Sequence, residues 1–277
     1  MASDIPLSTS GKTAMQVAKD VSIEAGVILA RRFYQAKEVF LKGDNDFVTD
    51  VDREAEAVIL GRLRREYPGM GLLGEESAGD RPDSGYVWIV DPVDGTRNYA
   101  WGIPFFSLVV GLALDGEALV GVNYDPMRKE MFHAERGGGA FLNGEPIRVS
   151  DKSSLGEAIV GMDISYAGDD GAANGLEVLR SLVGGVRSLR VMGSSALGIS
   201  YAAAGRVDLY FNHRLEPWDQ VAGLLLVEEA GGRITDRTGA RAGLLSDGLI
   251  ASSTALHADF MRRTDGMAWR SPTHRLA

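Results

Sequence analysis

The stretch Trp88-Ile89-Val90-Asp91-Pro92-Val93-Asp94-Gly95-Thr96 carries an apolar strand into two carboxylates, a proline and a glycine. Asp91 and Asp94 stand an odd number of positions apart, so an unbroken strand would send them to opposite faces. Pro92 and Gly95 interrupt the strand, and a turn there would aim both acids at one point. Two carboxylates converging at a strand end repel each other unless a cation lies between them, and an all-oxygen donor set suits a hard ion such as Mg²⁺. Gly95 lets a ligand approach the backbone, and the amides of Gly95 and Thr96 would open a helical turn, a natural phosphate seat. The plainer alternative is that Asp94 caps this turn and Asp91 satisfies loop amides.

Upstream, Val17, Val21, Ala25, Ile28, Leu29 and Phe33 recur at the three-and-four spacing of one helix face, predicting a helix from Thr13 to about Phe33. A turn-rich passage from Lys42 to Phe47 follows. Thr49 with Asp52 three residues on has the spacing of a capping box, so a second helix should start near Asp50. Tyr86–Val90, Phe106–Leu114, Leu119–Tyr124, Glu130–Ala134 and Ala140–Leu142 are short β-prone runs separated by turn residues, and they predict an antiparallel meander. Beyond Gly156 the rhythm changes to alternation. Strands are expected at Ala158–Met162, Leu189–Met192, Val207–Phe211, Gly232–Thr235 and Leu249–Ala251, and helices near Gly175–Val183, Ser194–Ala204, Trp218–Ala230 and Thr254–Arg263. The fold class is α/β, mixed with α+β features. With no long linker, residues 1–277 read as one domain with closely packed halves near 1–149 and 150–277, and the tail after Thr264 reads as loose.

Composition narrows the function. Among 277 residues, 29 Lys plus Arg face 38 Asp plus Glu, and the net charge of −9 argues against a nucleic-acid groove. There is no cysteine, which excludes disulfides, thiolate nucleophiles and Cys-type metal sites and fits a reducing cytoplasm. The longest apolar runs, near Leu108–Leu114 and Val221–Val227, fall short of the roughly 18 to 20 residues that span a bilayer, and no export-type leader precedes Thr13. His133, His213, His257 and His274 lack ligand spacing. Gly193-Ser194-Ser195-Ala196-Leu197 lacks the final glycine of a serine-hydrolase elbow, and Arg136-Gly137-Gly138-Gly139 reads as a turn, not a nucleotide cradle. The Asp-x-Asp-Gly-Thr signature of haloacid-dehalogenase-type phosphatases does not fit either, because Pro92 occupies the nucleophile's position.

WIVDPVDGTRNY, with LLGEES at 72–77 upstream and EPWDQVAGLLLVEEAGG at 216–232 downstream, resembles the inositol monophosphatase family of Mg²⁺-dependent, lithium-sensitive phosphatases, which belongs to the same superfamily as fructose-1,6-bisphosphatase. DFVTDVDREAE at 46–56 and RGGGAFLNGEPIRVS extend the similarity over nearly the whole chain in the family's order. The resemblance implies a layered α-β-α-β-α sandwich like the sugar phosphatase fold, two or three Mg²⁺ ions per subunit, and a homodimer. It assigns Glu75 and Asp91, with the Val93 carbonyl, to one ion, and Asp91, Asp94 and Asp219 to a second. It also implies that Thr96, hydrogen-bonded to Asp52, orients the attacking water while Gly95 and Thr96 amides hold phosphate oxygens; for Asp52 the capping role stands beside this one. Asp94, Asp219, Gly193, Ser194 and Ser195 would face the substrate, a small phosphate ester. Many inositol-specific members carry Glu where this chain has Asn212, which can still bind sugar hydroxyls without the charge. Arg190 and Arg97 are candidates for a second anionic group. The implied reaction is hydrolysis of a polyol or sugar phosphate, inositol 1-phosphate first, with fructose 1,6-bisphosphate, histidinol phosphate and 3′-phosphoadenosine 5′-phosphate as alternatives. A non-enzymatic alternative is a dimeric binding partner of transcription machinery.

Overall fold

The computed structural model describes residues 5–41, 47–77, 85–164 and 171–271. The chain runs α1 (Ala14–Arg32), β1 (Val39–Leu41), β2 (Phe47–Thr49), α2 (Asp50–Glu66), β3 (Gly71–Gly74), β4 (Tyr86–Asp94), α3 (Thr96–Ala100), β5 (Ser107–Leu114), β6 (Glu117–Asp125), β7 (Glu130–Glu135), β8 (Gly139–Leu142) and β9 (Glu145–Pro146). It continues through β10 (Ile159–Asp163), α4 (Gly171–Leu182), β11 (Ser188–Val191), α5 (Ser195–Ala203), β12 (Leu209–Asn212), α6 (Pro217–Glu229), β13 (Arg233–Asp236), β14 (Leu249–Ser252) and α7 (Thr254–Arg263).

Apart from the antiparallel pair β1-β2, two larger sheets organise these elements in five layers. The first sheet has the order β3-β4-β5-β6-β7-β8-β9 and the second β11-β10-β12-β14-β13. Alternation along β4 explains how the first sheet is covered on both faces. Trp88 and Val90 point into a core with Val21, Ala25 and Leu29 of α1 and Ile59 and Leu63 of α2. Ile89 points the other way, into a core shared with Leu197 and Ile199 of α5, Val221 and Leu225 of α6, and Tyr210 and Ala251 of the second sheet. The far side of the second sheet buries Val160, Met162 and Phe211 against Val178 of α4 and Leu256 and Phe260 of α7. The order of layers is therefore α-β-α-β-α, and the central helices contact both sheets.

Small residues set how closely α6 approaches. A Cβ on Gly121 would come within 2.6 Å of the Ala222 Cα, and one on Gly111 would strike Val221. Bare backbone on β5 and β6 thus lets α6 lie directly on the sheet, which brings its first turn to the end of β4.

Three expectations need correction. Gly71–Gly74 forms a strand parallel to β4, which the sequence reading left out. The break at Pro92 is not a turn: β4 runs on to Asp94, with its pairing to β5 shifting between Asp91 and Asp94. An irregularity in the ladder changes which face successive side chains take, and so performs the convergence assigned to a turn. The passage after Thr264 is also ordered as far as Ser271: Ala268–Arg270 is a 3₁₀ turn, Trp269 is fully buried against Phe211 and Phe260, and Arg237 Nη1 donates to its carbonyl at 2.5 Å. A single large apolar residue in a polar stretch has no periodicity to announce it. Trp269→Ala should cost about 3–5 kcal/mol in urea unfolding, against well under 1 kcal/mol for an exposed neighbour. His274 and most of the Lys42–Phe47 passage lie outside the described residues.

Candidate active site

Asp91 and Asp94 leave the end of β4, and Asp219 occupies the first turn of α6. One carboxylate oxygen from each lies within 4.8 Å of the others. The position of Asp219 follows from local capping: its Oδ2 accepts from the Glu216 amide at 2.7 Å, as Pro217 opens the helix. Asp91 Oδ1 accepts from the Val93 amide at 2.9 Å, and its carboxyl meets that of Glu75, which follows β3.

Burial, then the charges of Glu75, Asp94 and Asp219, holds Asp91 well above the ordinary carboxylate range. Asp219 is raised by burial and by Asp94. Burial pushes Asp94 up to about 7, against the opposing hydrogen bond from Ser194. Among the described residues these acids form the carboxylate cluster that could hold a metal ion, and their chemistry fits one: hard oxygen donors whose mutual repulsion a divalent cation would remove.

The raised values predict a pH dependence. A carboxyl with a higher pKa when folded binds its proton more tightly in that state, so its stabilising contribution is complete below its ordinary 3.8 and is lost as pH rises through about 7. In chelator, the melting temperature should fall by about 5 °C or more between pH 5 and pH 8, and saturating Mg²⁺ should remove most of that fall. A metal-free melting temperature that climbs over this range would contradict the assignment.

A second feature is the segment from Met192 to Ala196, gripped by two acids. Asp94 accepts the Ser194 hydroxyl and the amides of Ser195 and Ala196, both at 3.1 Å. Asp163, at the end of β10, accepts the amides of Met192 at 3.0 Å and Gly193 at 2.5 Å. Asn98 of α3 closes the arrangement by donating to the carbonyls of Phe105, Met192 and Gly193. Gly95 enters α3 at φ 93°, and a Cβ there would lie 2.9 Å from the Gly193 carbonyl oxygen, so the close approach requires glycine.

Thr96 begins α3. Its hydroxyl faces the Val93 carbonyl at 2.9 Å and Asp52 Oδ1 at 3.2 Å. Asp52 is fully buried, makes the capping box with Thr49, and is held above the usual range by burial. The capping geometry and the hydrogen bond to Thr96 are present together.

These groups surround an open cavity of about 530 Å³, whose lining includes Asp94, Gly95, Thr96, Gly193, Ser195 and Asp219. Asn212 and Arg97 also line it. Arg190 does not: its guanidinium bonds the Ser188 hydroxyl at 2.5 Å and the Leu189 carbonyl at 2.8 Å, outside the cavity lining. A strand residue next to the cavity points in or out by alternation, and here Val191 takes the inward place. Ser194 is buried beneath Asp94. The sequence reading missed Asp163, Asn98 and Arg214 in the wall; isolated polar residues after strands or in loops leave no pattern to read.

An acidic, oxygen-rich cluster beside a polar cavity, on a five-layer α/β fold, fits the class of metal-dependent phosphoric monoester hydrolases. Residues 12–266 match the model of the inositol monophosphatase family, and the chain belongs to that family. It is 37% identical over 251 residues to an inositol-1-monophosphatase of Mesorhizobium japonicum, covering 90% of this chain and 94% of that protein. It is 39% identical over 220 residues to a fructose-1,6-bisphosphatase/inositol-1-monophosphatase of Thermotoga maritima, covering 79% and 83%. The crystal structure of the extragenic suppressor protein suhB from Bartonella henselae superposes with a TM-score of 0.87 at 36% identity, covering 91% of this chain and 98% of that one. No helix among the described residues is long and apolar enough to cross a membrane.

Proposed function

We propose that the protein is a Mg²⁺-dependent phosphomonoesterase acting on a small polyol or sugar phosphate, with inositol 1-phosphate the first candidate. The observation that carries this reading is the meeting of Asp91, Asp94 and Asp219 oxygens within 4.8 Å of one another beside a cavity lined by Gly95 and Thr96. Glu75, Asp91 and the Val93 carbonyl would hold one ion, and Asp91, Asp94 and Asp219 a second. When bound, such ions supply charge to a transferring phosphoryl group and acidify water.

The remaining work falls to the chain itself. Thr96 has one hydroxyl hydrogen and two acceptors, of which only the Asp52 carboxylate can also take up a proton. Thr96 therefore orients the attacking water and passes its proton toward Asp52. The backbone at Gly95 and Thr96 receives the phosphate oxygens. Lithium sensitivity, a homodimer and a cytoplasmic setting belong to the same reading and rest on family membership.

The test is turnover of inositol 1-phosphate, fructose 1,6-bisphosphate, histidinol phosphate and 3′-phosphoadenosine 5′-phosphate by the purified protein, with Mg²⁺ and with chelator. Mg²⁺-dependent release of phosphate from at least one ester is expected. No release from any of them would refute the phosphatase reading.

A further inference from the structure

The wall of the cavity formed by the second sheet contains a carboxylate that the proposed hydrolysis does not use. β10 and β12 run parallel, with Asp163 and Asn212 as register partners at their C-terminal ends, where open parallel sheets present groups to ligands. Both residues line the cavity. Their hydrogen-bonding states differ.

Asn212 has committed its donors. Its Nδ2 donates to Ser195 Oγ at 3.0 Å and to the Tyr210 hydroxyl at 3.2 Å, and its Oδ1 accepts the Arg214 amide at 3.1 Å. An amide nitrogen has two hydrogens, so nothing of the donor end is left for a ligand. Asp163 Oδ1 accepts two amides, and Oδ2 accepts the Tyr210 hydroxyl at 2.7 Å. A carboxylate offers about four acceptor positions, and three are taken. Among the described residues the acceptor still open belongs to Oδ2, on a half-buried residue of the cavity wall.

Tyr210 links the two: it donates to Asp163 and accepts from Asn212, so Asn212 fixes the phenol and the phenol fixes the carboxylate. A carboxylate locked by three donors and short of one is prepared to accept a hydrogen from a ligand at little entropic cost. Asp163 is outside the Asp91-Asp94-Asp219 cluster that would hold the ions, and a neutral hydroxyl satisfies its open position.

We propose that the Asp163 carboxylate accepts a hydroxyl hydrogen from the non-phosphate end of the substrate and makes the site selective for polyol phosphates. This rests on the phosphatase reading above and specifies its substrate class.

The test compares inositol 1-phosphate with cyclohexyl phosphate, which has the same ring without hydroxyls, in the Mg²⁺-loaded full chain. Asp163→Asn and Asp163→Ser should each lose about tenfold to a hundredfold more kcat/KM on inositol 1-phosphate than on cyclohexyl phosphate, chiefly through KM. Equal losses on the two esters would reduce Asp163 to a support for the Met192–Ala196 segment and overturn the proposal, as would retained selectivity. If neither variant shows a cooperative melt, the unaltered protein decides: it should favour inositol 1-phosphate by about tenfold or more, and absence of that preference overturns the assignment. Failure of the unaltered protein to cleave any ester removes the phosphatase reading and this inference with it, whereas a failure specific to the variants concerns Asp163 alone.

Discussion

Asp91→Asn removes Mg²⁺-dependent turnover, by about a thousandfold or more, and at the same time raises the melting temperature of the metal-free protein at pH 8. The two effects have one cause. Asp91 is 2% exposed and faces Glu75, Asp94 and Asp219, so in the absence of a cation its charge is buried among like charges. Asparagine keeps the volume and the oxygen that accepts the Val93 amide while deleting that charge. What remains is a less repulsive cluster and a donor set too weak for a hard divalent ion. Adding Mg²⁺ at about a hundred times its dissociation constant should stabilise the unaltered protein by about 2.7 kcal/mol and leave Asp91→Asn unmoved. Differential scanning calorimetry with and without Mg²⁺ reads both predictions. A variant that still gains stability from the ion would show that Asp91 is not a ligand.

This pairing of instability with function also explains what could be read from the sequence. Hydrophobic alternation and turn residues located most strands of both sheets, and three-and-four spacing located α1 and α2, because those patterns are the local signature of one buried face; α6 is instead a continuous apolar run, buried between the two sheets. β3 was missed because Gly71–Gly74 is short and half glycine, and it is held as a strand by parallel pairing to β4. Trp269 was missed because its burial depends on Phe211 and Phe260, from β12 and α7, and not on its neighbours in sequence.

At the site, Asp91 and Asp94 were legible as a pair because proline and glycine flank them in one short segment. The device that makes them converge was not: an irregular strand and a turn leave the same residues in the sequence, and only the register with β5 separates them. Asp163 was invisible for a more general reason. Its partner Asn212 lies 49 positions away on a parallel neighbour, and no local rule links two strand ends joined by a crossover.

The proton path gives the other large effect. Thr96→Val keeps the shape of the side chain and removes only the hydroxyl, so kcat should fall about a hundredfold to ten-thousandfold while Mg²⁺ still raises the melting temperature. Thr96→Ser restores the hydroxyl and should recover most of the rate. Asp52→Asn removes the group that can take the proton, but it also weakens the cap of α2, where Thr49 and Asp52 exchange hydrogen bonds. Some stability, about 0.5–2 kcal/mol, should therefore be lost with the activity. The double variant separates the two roles. If Thr96 and Asp52 act in one relay, the combined loss in kcat should be little greater than either single loss, because a broken chain cannot be broken twice. The loss in stability should remain that of Asp52→Asn alone. Multiplying rate losses would mean that Thr96 and Asp52 serve catalysis separately, and the 3.2 Å contact between them would then be packing without proton transfer.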